Sequence, residues 1–201
     1  MSERLSAVAF ADRPDFRNEE GATPGGLTLQ ERRGLAMFLL AGFPENHAPL
    51  NALLSGRFGL ELPDPGKAVL AGDVGLLWQG PNRWLLEAPE AGREGLGELQ
   101  QAMMEHSGVA VTDLSHARSV LRMTGPAVRQ LLAKGSGVDL STDAFRTGDC
   151  LLTRFSHYAV TLHALEEEQI DLYITRSFAL SLWQELLDLG AEYGLRVAND
   201  L

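Results

Sequence analysis

Apolar and polar positions along this chain fall into runs that recur. Leu35-Ala36-Met37-Phe38-Leu39-Leu40 is an unbroken apolar stretch ended by Gly42, which predicts a buried strand. Beyond Gly42-Phe43-Pro44, the residues Leu50, Leu53 and Leu54 stand at helical spacing, and Gly56 and Gly59 are placed to end that helix. Val74–Trp78 and Arg83–Glu87 are strand formers on either side of Gly80-Pro81-Asn82, the pattern of a hairpin. Arg93 to Glu105 gathers Leu96, Leu99 and Met103 on one face, which predicts an amphipathic helix.

The second half uses the same vocabulary. Val109–Thr112 and Ser119–Met123 read as strands. Pro126 suits a first helical position, where its missing N–H is no loss. Cys150–Phe155, Tyr158–Ala164 and Gln169–Ile174 read as a meander with Glu166-Glu167-Glu168 as a solvated turn. Ser177 is a candidate N-cap for a helix that shares Leu180, Trp183 and Leu187 on one face.

The two halves echo each other in order. Leu53-Leu54 followed by Gly59-Leu60-Glu61-Leu62 has its counterpart in Leu131-Leu132 followed by Gly137-Val138-Asp139-Leu140. His106-Ser107-Gly108-Val109-Ala110-Val111 closes one copy, and Glu192-Tyr193-Gly194-Leu195-Arg196-Val197 closes the other. Strands and helices in irregular order predict an α+β fold with antiparallel or mixed sheets, built by duplication. The expected organisation is a flexible N-terminal arm over 1–27 and one duplicated domain over 28–201, with halves of about 35–111 and 119–197. Folding proper is expected to begin near Leu35. The arm carries Val8, Phe10 and Phe16, apolar enough to lie on a partner.

Charge narrows the partners. Seventeen basic against 27 acidic residues give a formal charge of −10, the wrong sign for a nucleic-acid surface or an anionic membrane. A single cysteine, Cys150, forbids an internal disulfide and paired-cysteine metal sites, and fits a reducing cytoplasm. The N-terminal residues, with Asp12, Asp15, Glu19 and Glu20, lack the apolar core of a signal peptide.

Catalytic constellations are sparse. Asp113, Ser115 and His116 invite a nucleophile reading, but on a strand Asp113 and Ser115 share a face that His116 does not. Gly135-Ser136-Gly137 and Gly95-Leu96-Gly97 lack the third glycine of a dinucleotide loop, and Gly66-Lys67 lacks the rest of a phosphate loop. His157 and His163 could share a strand face, but about 20 Å apart they hold no common ligand. Trp78, Trp84 and Trp183 read as core anchors. No catalytic, cofactor-binding or metal residue is therefore expected. Arg118, Arg122, Arg146, Arg154 and Arg176 stand out in an acidic chain; of these, Arg118, Arg122, Arg146 and Arg176 are candidate partner-interface residues, since arginine is enriched at interfaces.

The block from Val111 to Ser119, followed by Leu121-Arg122-Met123-Thr124-Gly125-Pro126, resembles the gamma-subunit family of heterotetrameric sarcosine oxidase. So do Leu131–Gly135, Val138-Asp139-Leu140, Phe145–Cys150, Thr175–Phe178 and the hairpin Gly80-Pro81-Asn82-Arg83-Trp84-Leu85-Leu86. The resemblance implies a fold like the folate-binding part of the aminomethyltransferase (T-protein) of glycine cleavage. It implies a non-catalytic subunit partnered by alpha, beta and delta subunits in the oxidative demethylation of sarcosine. FAD, FMN, NAD and tetrahydrofolate are implied for the complex through those other subunits. The competing expectation is a stand-alone folate-dependent aminomethyl or one-carbon transferase; a folate sensor linked to iron–sulfur or tRNA maturation would need a reactive thiol motif that Cys150 does not supply.

Overall fold

A computed structural model describes residues 6–8, 26–104 and 109–198. Most of the expected arm and the closing residues His106-Ser107-Gly108 lie outside the described residues. The chain groups into two compact units. The first is Gly34–His116; the second joins Met1–Arg33 to Ala117–Leu201.

In the first unit, strand β2 (Leu35–Gly42) leads into helix α1 (His47–Phe58). Strands β3 (Ala68–Ala71), β4 (Val74–Trp78) and β5 (Arg83–Pro89) follow, then helix α2 (Arg93–Met104) and strand β6 (Val109–Asp113). The sheet order is β3-β4-β5-β2-β6. Leu50 and Leu54 of α1 and Leu96, Leu99 and Met103 of α2 pack with Phe38, Leu40, Leu76 and Leu86. The opposite face of this sheet is buried as well, through Met37, Leu77 and Leu85. Burial on both faces is why Leu35–Leu40 reads as a continuous apolar run.

The second unit repeats the plan. Its strands are β1 (Thr28–Arg32), β7 (Arg118–Thr124), β8 (Cys150–Phe155), β9 (Tyr158–Glu166), β10 (Gln169–Thr175) and β11 (Arg196–Val197). Its helices are α3 (Val128–Gly135) and α4 (Ala179–Gly190). The sheet order is β11-β1-β7-β10-β9-β8. Read from the other edge, β8-β9-β10-β7-β1 matches β3-β4-β5-β2-β6 strand for strand. The match exposes an exchange. Strand β1 runs into β2 along the chain but pairs with β7, and β6 runs into β7 but pairs with β2. Each half's leading strand therefore belongs to the other half's sheet.

Several sequence expectations need correction. Folding begins at β1, not near Leu35: Leu27 and Leu29 are fully buried in the second core, although Thr28–Arg32 has too few apolar residues to announce a strand. Ser6, Ala7 and Val8 are held there too, with the Ala7 N–H donating to Glu31 Oε1 at 3.1 Å and Val8 buried. Gly56 lies inside α1, and Gly59 alone ends it, in the left-handed conformation that glycine adopts without penalty. Pro126 sits in the turn before α3, which starts at Val128. Ser177 is no N-cap; it lies in a 3-10 turn, Arg176–Phe178, that runs into α4. His157 is in the β8–β9 turn and so shares no strand with His163. The predicted hairpin, both amphipathic helices and the three-stranded meander form as expected.

Candidate functional site

The Asp113–Ser115 pair is a turn. Strand β6 ends at Asp113, and the Ser115 N–H donates to Asp113 Oδ1 at 2.8 Å while the hydroxyl donates to the same oxygen at 2.6 Å. The Ser115 oxygen also accepts the Met37 N–H at 2.9 Å, and Ser115 is fully buried. Burial works to raise the Asp113 carboxyl, but hydrogen bonds from Ser115 and Arg93 outweigh it and hold the group below the usual carboxylate range. With its oxygen between Asp113 and the Met37 backbone, this hydroxyl anchors β6 to β2. The Gly135-Ser136-Gly137 segment has a packing reason: a Cβ on Gly135 would stand 2.6 Å from the Phe155 ring.

Among the arginines, Arg122 is committed inside the second unit. Its Nε and Nη2 donate to the two carboxylate oxygens of Asp171 at 2.7 and 2.9 Å, and Arg32 Nη1 adds a bond at 2.8 Å. Asp171 is fully buried, so this bidentate fork is what lets a carboxylate stay inside the fold. The pair belongs to a row across five strands: Gln30, Arg122, Asp171, His163 and Cys150 stand side by side in register. Burial pushes the His163 imidazole down to about 4, with Asp171 pulling up and Arg32 and Arg122 pushing further down. Arg118 is half-buried opposite Thr175, and desolvation lowers its pKa. Arg176 follows at the end of β10, its N–H on the Ala117 carbonyl at 2.9 Å. Arg146 is exposed in the α3–β8 loop, its Nε on the Asp143 carbonyl at 3.0 Å. The fold brings Arg118 and Arg176 near one another and leaves Arg146 and Arg122 in separate surroundings.

One cleft opens in the first unit, with a volume of about 590 Å³, within the range of small-molecule sites. Three elements make its walls: the start of α1 (His47, Asn51), the α1–β3 loop (Pro63, Asp64) and the β4–β5 hairpin (Trp78, Trp84). The His47 and Trp84 rings meet edge to face with centroids 5.0 Å apart. His47 Nε2 and Trp84 Nε1 are buried and have no hydrogen-bond partner among the described residues. Trp84 does anchor the core as expected, but Trp78 is only half-buried, and both line the cleft. No local pattern in the sequence marks this wall, because it forms only when the hairpin register brings the two tryptophans together. The register pairs Trp78 with Trp84 at the end of the hairpin.

Comparisons with known proteins show the family. The model of the sarcosine oxidase, gamma subunit family matches residues 46–192. A sarcosine oxidase subunit gamma from Corynebacterium sp. (strain P-1) is 31% identical over 177 residues, covering 87% of this chain and 85% of that protein. In the solved heterotetrameric sarcosine oxidase from Corynebacterium sp. U-96, in complex with pyrrole 2-carboxylate, one chain superposes with a TM-score of 0.83 at 28% identity, over 98% of both chains. The glycine cleavage system aminomethyltransferase T from Bartonella henselae shares the fold, with a TM-score of 0.66 at 14% identity over 87% of this chain and 48% of that one. The α+β architecture is therefore the aminomethyltransferase-like one that the sequence implied, and the chain belongs to the sarcosine oxidase gamma subunit family.

Proposed function

We propose that this chain is the non-catalytic gamma subunit of a heterotetrameric sarcosine oxidase. It supports the oxidative demethylation of sarcosine to glycine, with one-carbon transfer to tetrahydrofolate and formation of hydrogen peroxide. The observation that carries the reading is the match along nearly the whole length to one chain of such a complex, joined to family membership. The partners are alpha, beta and delta subunits, and FAD, FMN, NAD and tetrahydrofolate reside in the complex through them. The Asp113 carboxylate, a candidate for a folate or catalytic role, is held by Ser115 and Arg93, which supports an accessory part. Arg118, Arg146 and Arg176 serve the interface; Arg122 joins them only through its charge, since its donors hold Asp171. No helix among the described residues is long and apolar enough to cross a membrane. A cytoplasmic location accords with a single cysteine, Cys150, that is buried and in no disulfide.

The test is co-expression of the full chain with the candidate flavoprotein subunits, followed by pull-down and a sarcosine-dependent peroxide assay. The expected result is a stoichiometric complex that produces peroxide. Recovery of the chain alone, with the flavoproteins assembled without it, would overturn the reading.

A further inference from the structure

The duplication places equivalent backbone around one corner of each unit, and the two corners are filled differently. The hairpin registers fix the equivalence. Trp78 pairs with Trp84 in the first unit as Ala164 pairs with Ile170 in the second. The Gly42 N–H donates to the Asn82 carbonyl at 3.2 Å, and the Gly125 N–H to the Glu168 carbonyl at 2.8 Å. Counting back one helical turn from the buried Leu54 and Leu132 makes Asn51 the counterpart of Arg129. Counting back from the first residues of β3 and β8 makes Asp64 the counterpart of Arg146. The bonds Lys67 N–H to Asp64 carbonyl and Asp149 N–H to Arg146 carbonyl, at 3.0 and 2.8 Å, mark the same loop turn.

In the second unit a cation closes the corner. Arg129 Nη1 donates to the carbonyls of Leu140 and Phe145, both at 2.7 Å, and Nε donates to the Glu167 carbonyl in the hairpin turn at 2.9 Å. The guanidinium carbon lies 5.9 Å from the Phe145 ring centroid. In the first unit Asn51 is several atoms shorter, and its amide oxygen accepts the Leu62 N–H at 2.7 Å. The space left over is the cleft. No lysine or arginine lines it, its walls carry two indoles, and the loop position that is Arg146 beside the built-in cation is the carboxylate Asp64 here.

We propose that this cleft binds an organic cation, a guanidinium or an alkylated ammonium group, in the place that the Arg129 guanidinium takes in the second unit. Aromatic walls attract such a group through the ring quadrupole, and a carboxylate at the rim selects its charge. The cation comes from a free small molecule or from an arginine or lysine side chain of a partner subunit. The inference does not depend on the subunit reading, because both the corner and its counterpart lie within this chain.

The test titrates the full chain with N-ethylguanidinium and with N-ethylurea, its neutral isostere, following tryptophan fluorescence. Saturable binding of the cation and none of the urea is expected. Asp64→Asn, at an exposed position, should weaken the cation about two- to fivefold with an unchanged melting temperature. Asn51→Arg, which supplies the missing guanidinium internally, should abolish it. Equal responses to cation and urea, or no saturable response, would overturn the proposal, as would unaltered affinity in Asp64→Asn. Repeating the titration on the assembled complex separates the sources. Retained binding assigns the site to a free amine, and binding lost on assembly assigns it to a partner's side chain.

Discussion

The same row across the two sheets is written in two chemistries. In the first unit Leu39, Leu85, Leu77 and Ala68 stand side by side on β2, β5, β4 and β3. At the equivalent places in the second unit stand Arg122, Asp171, His163 and Cys150. Both rows are buried around the central strands, so the backbone plan tolerates either. A leucine row needs only its shape filled, whereas the buried Asp171 carboxylate holds only while Arg122 and Arg32 stay paired with it. The corners differ in the opposite sense: the second unit closes its own with Arg129, and the first leaves its own open. Duplication has given one scaffold a half with a buried ion pair across its central strands and a half with leucines there and an open corner at its edge.

The comparison can be broken hardest at Asp171. Replacing it by leucine strands Arg122 and Arg32 beside an apolar wall, and unfolding free energy should fall by about 3–5 kcal/mol in denaturant titration. Writing the whole leucine row into the second unit, with Arg122→Leu, His163→Leu and Asp171→Leu together, should recover most of that loss; a triple variant as unstable as the single one would refute the equivalence of the rows. The next effect is pH. The folded His163 titrates at about 4, below its ordinary 6.5, so the unfolded chain binds the proton more readily. Stability from this group is complete above pH 6.5 and falls as pH descends toward 4, by about 3 kcal/mol in all. Melting temperatures across that window should show the fall, and His163→Leu should flatten it. Opening the closed corner with Arg129→Met removes donors from three backbone carbonyls and should cost about 2 kcal/mol. The smallest effect is expected at Ser115→Ala. Losing the bonds that tie β6 to β2 should cost about 1 kcal/mol and leave peroxide formation by the complex unchanged.

Much of the fold was legible because its signals are local. Gly80-Pro81-Asn82 between two apolar strands, and the Leu96, Leu99 and Met103 stripe, each carry their own geometry. Strand β1 was not legible, since its apolar residues are few and its partners, β7 and β11, lie far along the chain. The exchange of β1 and β6 is likewise a matter of pairing, which no local pattern records. Ser177 misled because capping chemistry was read without the 3-10 turn that precedes α4. At the candidate site, Asp113 and Ser115 were nominated by residue type, and only the hydrogen-bond geometry shows that they close a turn. The cleft escaped notice for a related reason. Trp78, Trp84 and Asn51 gain meaning only against Ala164, Ile170 and Arg129, and that alignment needs the registers of both hairpins.

The proposed accessory role is tested most directly by assaying the purified full chain alone for sarcosine-dependent peroxide, against the same chain assembled with the candidate partner subunits. Turnover is expected in the assembled preparation and none in the lone chain. Sustained peroxide release by the chain with no partner present would contradict it.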